Sequence, residues 1–79
     1  MTDLETEREH LARADCNIVA GERRVTAQAL LIERLRGGGH DTREAGRLLL
    51  TMQQSLETWQ GHRNLILQEI ARLERMPPR

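Results

Sequence analysis

The sequence predicts an all-α protein: an antiparallel helical hairpin with coiled-coil-like packing. Apolar residues recur every seven positions in the first half of the chain and alternate at steps of four and three in the second half. Three consecutive glycines, Gly37 to Gly39, separate the two patterns. The 79 residues are therefore expected to form one domain. Its predicted parts are a helix at residues 3–36, a turn at 37–40, a helix at 41–75 and a proline-ended tail at 76–79.

The first predicted helix begins at an acidic cap. Thr2-Asp-Leu-Glu5 has the spacing of a capping box, and acidic side chains in a first turn suit the helix dipole. No proline interrupts the chain from there to Arg36. One series at seven-residue spacing is apolar throughout: Leu4, Leu11, Ile18, Val25 and Ile32. A second series, three residues later, is small or polar until its last member: Glu7, Ala14, Gly21, Gln28 and Leu35.

The second predicted helix begins at Asp41, which is expected to be its N-cap, with Glu44 at the third helical position. Pro77 and Pro78 end it, because proline cannot continue a helix. Its alternating steps are typical of a coiled-coil seam. The seam residues are Ala45, Leu49, Met52, Leu56, Trp59, Arg63, Ile66, Ile70 and Leu73.

One antiparallel register fits both stripes. If the chain folds at the glycines, the residue numbers of every facing pair sum to 77, from Ile32 with Ala45 to Leu4 with Leu73. Large residues then mostly face small or polar ones, as interdigitating layers require. The glycines are read as the hinge, with an early one as the C-cap of the first helix. A phosphate-binding loop is disfavoured, since no strand precedes them and no Gly-Lys-Ser/Thr follows.

Composition narrows the class of protein. Twelve basic and twelve acidic residues give a formal net charge of zero, without the positive excess of a nonspecific nucleic-acid binder. A single cysteine, Cys16, permits no intrachain disulfide and fits a reducing compartment. No apolar run is long enough to span a bilayer, and the acidic start MTDLETERE is unlike a signal peptide. The chain is expected to be cytoplasmic, with no membrane contact.

No group of residues has the spacing of a catalytic centre, so the chain is expected not to be an enzyme and to use no cofactor. A metal-binding hairpin is one alternative, because the register places His10 beside Glu69 and doubling by symmetry would supply further ligands. His62 lies beside Asn17 in the same register. Neither a His-x3-His nor a Cys-x2-Cys spacing supports this alternative, and ordinary surface contacts explain the same neighbours.

Arg63 is the one charged residue of the second seam. Its stem can cover Ala14 while its guanidinium reaches water. Alternatively, it pairs with Asp15 or with a glutamate of another chain and thereby sets the register. The sequence leaves both interpretations open.

Large apolar residues away from the seam indicate an interface, because a two-helix hairpin covers only its seam. We expect a second copy to cover them, giving a homodimeric four-helix bundle. The predicted interface residues are Leu30, Leu31, Leu48, Leu50, Trp59, Leu65 and Leu67. The expected function is that of a non-enzymatic structural or protein-interaction module whose partner is itself or another protein.

Through GERRVTAQALLIERL, GHDTREAGRLLLTM and HRNLIL, the chain resembles small helical-hairpin proteins of GC-rich bacteria. The resemblance implies the fold and a bacterial origin, and it brings no activity with it. A nucleic-acid-associated regulator is a further alternative, although the zero net charge disfavours it. It would use the arginines gathered toward the turn: Arg23, Arg24, Arg34, Arg36, Arg43 and Arg47.

Overall fold

The computed structural model describes residues 3–77 and has the predicted all-α hairpin fold. Helix α1 spans Leu4–Gly37 and helix α2 spans Arg43–Glu74, and within the described residues there is no strand. The two helices pack side by side in a rod of 66 × 16 × 14 Å. The rod is one helix long and two helices wide, so no second layer lies over either helix.

Asp3 caps the start of α1. Its carboxylate accepts a hydrogen bond from the Thr6 backbone N–H at 2.8 Å, which satisfies one of the free donors of the first turn. That bond also lowers the pKa of the Asp3 carboxyl, because it favours the charged form. The other member of the predicted capping box, Thr2, lies outside the described residues.

The prediction that Asp41 caps α2 is wrong. The helix begins at Arg43, two residues later than expected, and its N-cap residue Thr42 makes no side-chain capping bond. The Asp41 carboxylate instead accepts from the Arg43 backbone N–H at 2.9 Å and from the Arg43 guanidinium at 2.8 Å. Because Arg43 is the first helical residue, the aspartate still satisfies one backbone donor of the first turn, from one residue before the cap position. At its other end α2 stops at Glu74, one residue before the predicted end at residue 75. Of the two prolines in the predicted tail, Pro78 lies outside the described residues.

The glycines close α1 in a Schellman motif. Gly38 is the C-cap residue, and Gly39 has a φ of 76°, the left-handed conformation that glycine adopts most readily. The His40 N–H donates to the Leu35 carbonyl at 2.8 Å, and the Gly39 N–H donates to the Arg36 carbonyl at 3.1 Å. These two bonds satisfy carbonyls at the helix end and turn the chain toward α2. Gly39 is therefore the residue at which the chain reverses direction.

Buried side chains lie at the two ends of the hairpin. Toward the termini, Ala14, Ile66 and Ile70 form the core, and two partly buried leucines of α1 pack against it. Toward the turn, Ile32 and Gln28 are buried. Between these ends, residues 15–27 and 50–65 include no buried residue. The core is therefore interrupted in the middle of the rod.

The predicted register is present in that middle segment. A Cβ built on Gly21 would lie 3.3 Å from Leu56 Cδ1, so the two residues face each other as their numbers require. This distance is tighter than ordinary van der Waals contact. Gly21 thus accommodates Leu56 at a point where a larger residue would have to push it aside.

Candidate functional site

The exposed apolar side chains are the most prominent surface feature of the hairpin. Among the described residues no large side chain is fully buried, and Leu65 is 64% exposed. All seven residues predicted to form an interface are among the exposed large apolar ones, together with Val19 and Met76. The hairpin by itself thus leaves the predicted residues in water, where a partner would have access to them.

One flank of the seam carries a continuous depression that we call the Trp59 groove. Its central part is a hollow of about 150 Å³, and its outer part reaches toward the turn. Thr51 lies in both parts and joins them. The hollow is lined by Gly21, Arg24, Met52, Ser55, Leu56 and Trp59, among others. The part near the turn includes Leu31, Leu35, Ala45, Arg47 and Leu48.

The Trp59 groove brings together only part of the predicted interface. Leu31 and Leu48 lie in it with Trp59. Leu50 lines a different depression on the other side of the seam, beside Val25. We call that side the Leu50 flank. Because the residues fall on different sides, one flat interface cannot cover them all.

The remaining predicted interface leucines lie away from the Trp59 groove. Leu30 lines a depression on the outer face of α1, with Ala27. Helical periodicity places Leu67 on the Leu50 flank and Leu65 on the outer side of α2. Both flanks of the hairpin therefore carry exposed leucines.

Trp59 lies at the edge of the hollow and is 37% exposed. Its ring meets the His62 ring edge-on, with centroids 5.7 Å apart and an interplanar angle of 72°. This T-shaped contact holds one side of the indole, since aromatic pairs favour such an arrangement. The other side borders the open hollow beside Gly21.

The Trp59 groove carries charges of both signs, with Arg24 and Arg47 on one side of the balance and Asp41 and Glu44 near the turn on the other. Arg24 and Arg47 line the groove, and neither forms an ion pair with another of the described residues. The acid nearest the turn, Asp41, is already bound by Arg43, and this bond holds the pKa of the aspartate below its ordinary value. The two arginines therefore remain available to an acidic neighbour.

The Leu50 flank is instead crossed by an ion pair. Arg63 Nε donates to Asp15 Oδ1 at 2.5 Å, joining α2 to α1. This contact decides between the two interpretations of Arg63: its partner is the aspartate of its own chain. The pair is partly exposed, with the side chains 37% and 50% accessible, so its contribution to stability is small.

The side chains that the metal-binding alternative would use have other partners. His10 Nδ1 lies 3.4 Å from Glu7 Oε1, on the same helix. Glu69, which the register places beside His10, is bound by Arg72, and this hydrogen bond lowers the pKa of the glutamate. Residues 3–77 contain no cluster of three or more His, Cys, Asp or Glu side chains suited to a metal ion. Cys16 is an exposed free thiol.

Two buried polar residues were not recognised as structural from the sequence. Gln28 donates from Nε2 to the Ala45 carbonyl at 2.9 Å, which ties α1 to the first turn of α2. Glu7 is 6% exposed and has the His10 contact. Their positions in the seam could have predicted this role, because a polar seam residue needs a hydrogen-bond partner once the helices bury it.

Comparison with known proteins adds no assignment. No protein-family model matches the chain, and no curated protein or solved structure is significantly similar to it. Over residues 3–77, neither helix has a segment both long and apolar enough to cross a bilayer. The function is therefore inferred from the hairpin itself.

Proposed function

We propose that this chain is a non-enzymatic protein-interaction module that works as a homodimeric four-helix bundle in the cytoplasm. The observation that carries the proposal is the exposure of large apolar residues on a rod that is only two helices wide. Isolated apolar residues on a surface are ordinary, but contiguous apolar patches commonly mark sites of association. Here Leu31, Leu48 and Trp59 share one groove.

The accessible area supports the same proposal. The hairpin exposes 6341 Å². Compact monomers of 9.1 kDa expose about 4,900 Å². The excess, roughly 1,400 Å² per chain, lies in the range that stable homodimers bury on each subunit. A second hairpin is a simple way to cover that area, since it supplies a matching layer of two helices.

The thinness of the core also supports association. Among residues 3–77 only four apolar residues are buried, and they lie at the two ends of the rod: Ala14, Ile32, Ile66 and Ile70. Folding has to offset the loss of conformational entropy along two long helices, and one narrow seam does this poorly. Burial at a dimer interface would add the missing hydrophobic stabilisation.

Sedimentation equilibrium at micromolar concentration tests the proposal. We expect twice the chain mass of 9.1 kDa, and a melting temperature that rises with protein concentration, because dimerisation and folding are then coupled. A folded monomer whose melting temperature does not depend on concentration would overturn the homodimer.

A further inference from the structure

Resting on the proposed homodimer, we propose that the Trp59 groove packs against the same groove of a second copy, in antiparallel orientation. The twofold axis is perpendicular to the rod and passes through its middle, at Gly21 and Leu56. The turn end of each chain then lies along the terminal end of its partner. The Leu50 flank remains outside the dimer.

The choice of flank follows from what lies at the centre of each. The Trp59 groove has Met52, Leu56 and Trp59 around its hollow. The Leu50 flank is crossed by the ion pair of Arg63 and Asp15. Covering that pair would remove two charges from water at a cost that their mutual attraction need not repay. Covering the hollow removes no ion pair from water. Its one charged lining residue, Arg24, is exposed, and its long side chain can keep the guanidinium at the edge of the interface.

The antiparallel orientation follows from the distribution of charge. The turn half, residues 22–55, has six arginines and four acids, a formal charge of +2. The described part of the terminal half, residues 3–20 and 57–77, has five arginines and eight acids, a formal charge of −3. Antiparallel packing lays the net positive half of each rod along the net negative half of the other, whereas a parallel dimer would place like net charges together. The attraction acts between the halves as wholes, since the terminal-half acids Asp15 and Glu57 lie on the Leu50 flank. The unpaired Arg24 and Arg47 lie on the face that would meet the partner.

The position of the axis follows from the hollow. Gly21 lies near the middle of α1, and the missing side chain leaves room beside Leu56. Trp59 faces Ile18, one helical turn from that level. A twofold axis at Gly21 therefore sets Trp59 of each chain about 4–5 Å to one side of the axis, over the hollow of the other. The exposed side of each indole is covered as a result.

A matched pair of leucine variants tests the flank. Leu48 lies in the Trp59 groove and Leu50 lies on the Leu50 flank, and their side chains are 48% and 55% exposed. We expect Leu48→Glu to weaken dimerisation by at least about tenfold, since it buries a charge at the interface. Leu50→Glu should leave the dimer nearly unchanged. Circular dichroism at high concentration checks that both variants remain helical.

The outcomes separate the two proposals. If the unchanged chain is a monomer, the homodimer and this interface both fail, and the groove is left for a different protein. If the chain dimerises but Leu50→Glu dissociates it and Leu48→Glu does not, only the assignment of the groove is overturned. Equal effects of both variants also overturn it, because the Leu50 flank would then take part.

Spin-label distances test the orientation without a variant at the interface. A label attached through Gly37→Cys in a Cys16→Ser chain lies at the turn, where an added Cβ meets nothing within 4 Å. Antiparallel packing about Gly21 predicts about 50 Å between the two labels, from sixteen residues on each side at 1.5 Å rise. A parallel dimer would bring them within about 20 Å, and that shorter distance would overturn the orientation.

The sole tryptophan reports burial directly. On dilution from dimer to monomer, Trp59 emission should shift to longer wavelength and become easier to quench with acrylamide, because the indole loses its cover. The Leu48→Glu chain should make this shift at a protein concentration at least about tenfold higher, and the Leu50→Glu chain should follow the unchanged protein. An indole signal that is independent of dimerisation would place Trp59 outside the interface and overturn the proposal.

Discussion

The ends of the hairpin are closed, whereas its middle is open. At the terminal end Ala14 is fully buried and Ile66 is 5% exposed. At the turn end the Schellman bonds close α1, and the Gln28 contact to the Ala45 carbonyl ties α1 to α2. In the middle, residues 15–27 and 50–65 include no buried residue, although the heptad pattern runs through them without a break.

The difference shows that a regular seam does not produce a uniform core. A layer closes when the facing residues together fill the space between the helices. At the terminal end Ala14 lies under large isoleucines of α2. In the middle, Gly21 leaves a hollow that Leu56 fills only partly, and Trp59 remains at its edge. The ends therefore maintain the hairpin, and the middle provides space for a partner.

An isoleucine-to-alanine substitution, made once at the terminal end and once in the middle, should give the largest difference in stability. Ile66→Ala removes a buried side chain and is expected to destabilise by about 2–5 kcal/mol, through lost burial and the cavity left behind. Ile18→Ala, at a half-buried position in the middle, should cost clearly less. Urea unfolding of both variants at one protein concentration measures the difference. Equal losses would show that the middle is as well packed as the end.

Added volume at Gly21 tests the close approach of the helices in the middle. We expect Gly21→Leu to destabilise by about 1–3 kcal/mol relative to Gly46→Leu, because the new side chain meets Leu56. Nothing lies within 4 Å of a Cβ added at Gly46, so leucine is accommodated there. Thermal unfolding compares the two chains. If Gly21→Leu is the more stable, the hollow has room for it and Leu56 yields.

A pair of glycine variants tests how the turn end is closed. Gly39→Ala should destabilise by about 1–2 kcal/mol, since a Cβ is strained in the left-handed conformation at φ 76°. Gly37→Ala should stabilise slightly, by up to about 1 kcal/mol, because that residue is helical and its Cβ would lie in open space. Differential scanning calorimetry measures both. A neutral Gly39→Ala would mean that the reversal does not depend on this residue.

Acidification should weaken hydrogen bonds at the ends of the hairpin before it affects the middle, and the resulting loss of stability should be small. The pKa values of Asp3, Asp41 and Glu69 are lowered, chiefly by hydrogen bonds from the Thr6 backbone, the Arg43 side chain and the Arg72 side chain respectively. Because each folded-state pKa lies below its ordinary value, the stabilisation is complete above the ordinary carboxyl range. It is lost as the pH falls through the folded-state values.

Amide hydrogen exchange checks this order. At about pH 3, near the ordinary carboxyl range, protection at the Thr6 and Arg43 amides should fall relative to neutral pH, after correction for the intrinsic rate. The Ser55 amide, in the middle of α2, should change less. Earlier loss of protection at Ser55 would contradict the assignment of these bonds to the ends.

Much of the fold was predictable because it depends on local periodicity. The alternation of three and four residues fixes which side of each helix is apolar, and the glycines fix where the chain turns. The pairing of Gly21 with Leu56 followed from those two facts and is confirmed by the 3.3 Å approach. The exposure of Leu48 and Leu50 followed as well, since neither lies on the seam. The role of the exposed residues in an interface stays a prediction.

Other features were not predictable, because they depend on competition between nearby partners. Aspartate is a favourable N-cap residue, yet the Asp41 carboxylate binds the Arg43 guanidinium and the N-cap position falls at Thr42. The register placed Glu69 beside His10 of the other helix. In the structure Glu69 is bound instead by Arg72, three residues away on its own helix. Spacing gives the neighbours of a side chain and does not say which of them it will contact.

By itself the sequence determined two long helices, the reversal between them and one antiparallel register, because these depend on apolar spacing and backbone preference along the chain. Only the tertiary structure decided which flank is open. The hollow beside Gly21, the position of Trp59 at its edge and the ion pair of Arg63 with Asp15 on the Leu50 flank arise from the packing of side chains across the seam. That packing depends on shape and volume in three dimensions, which residue spacing does not specify.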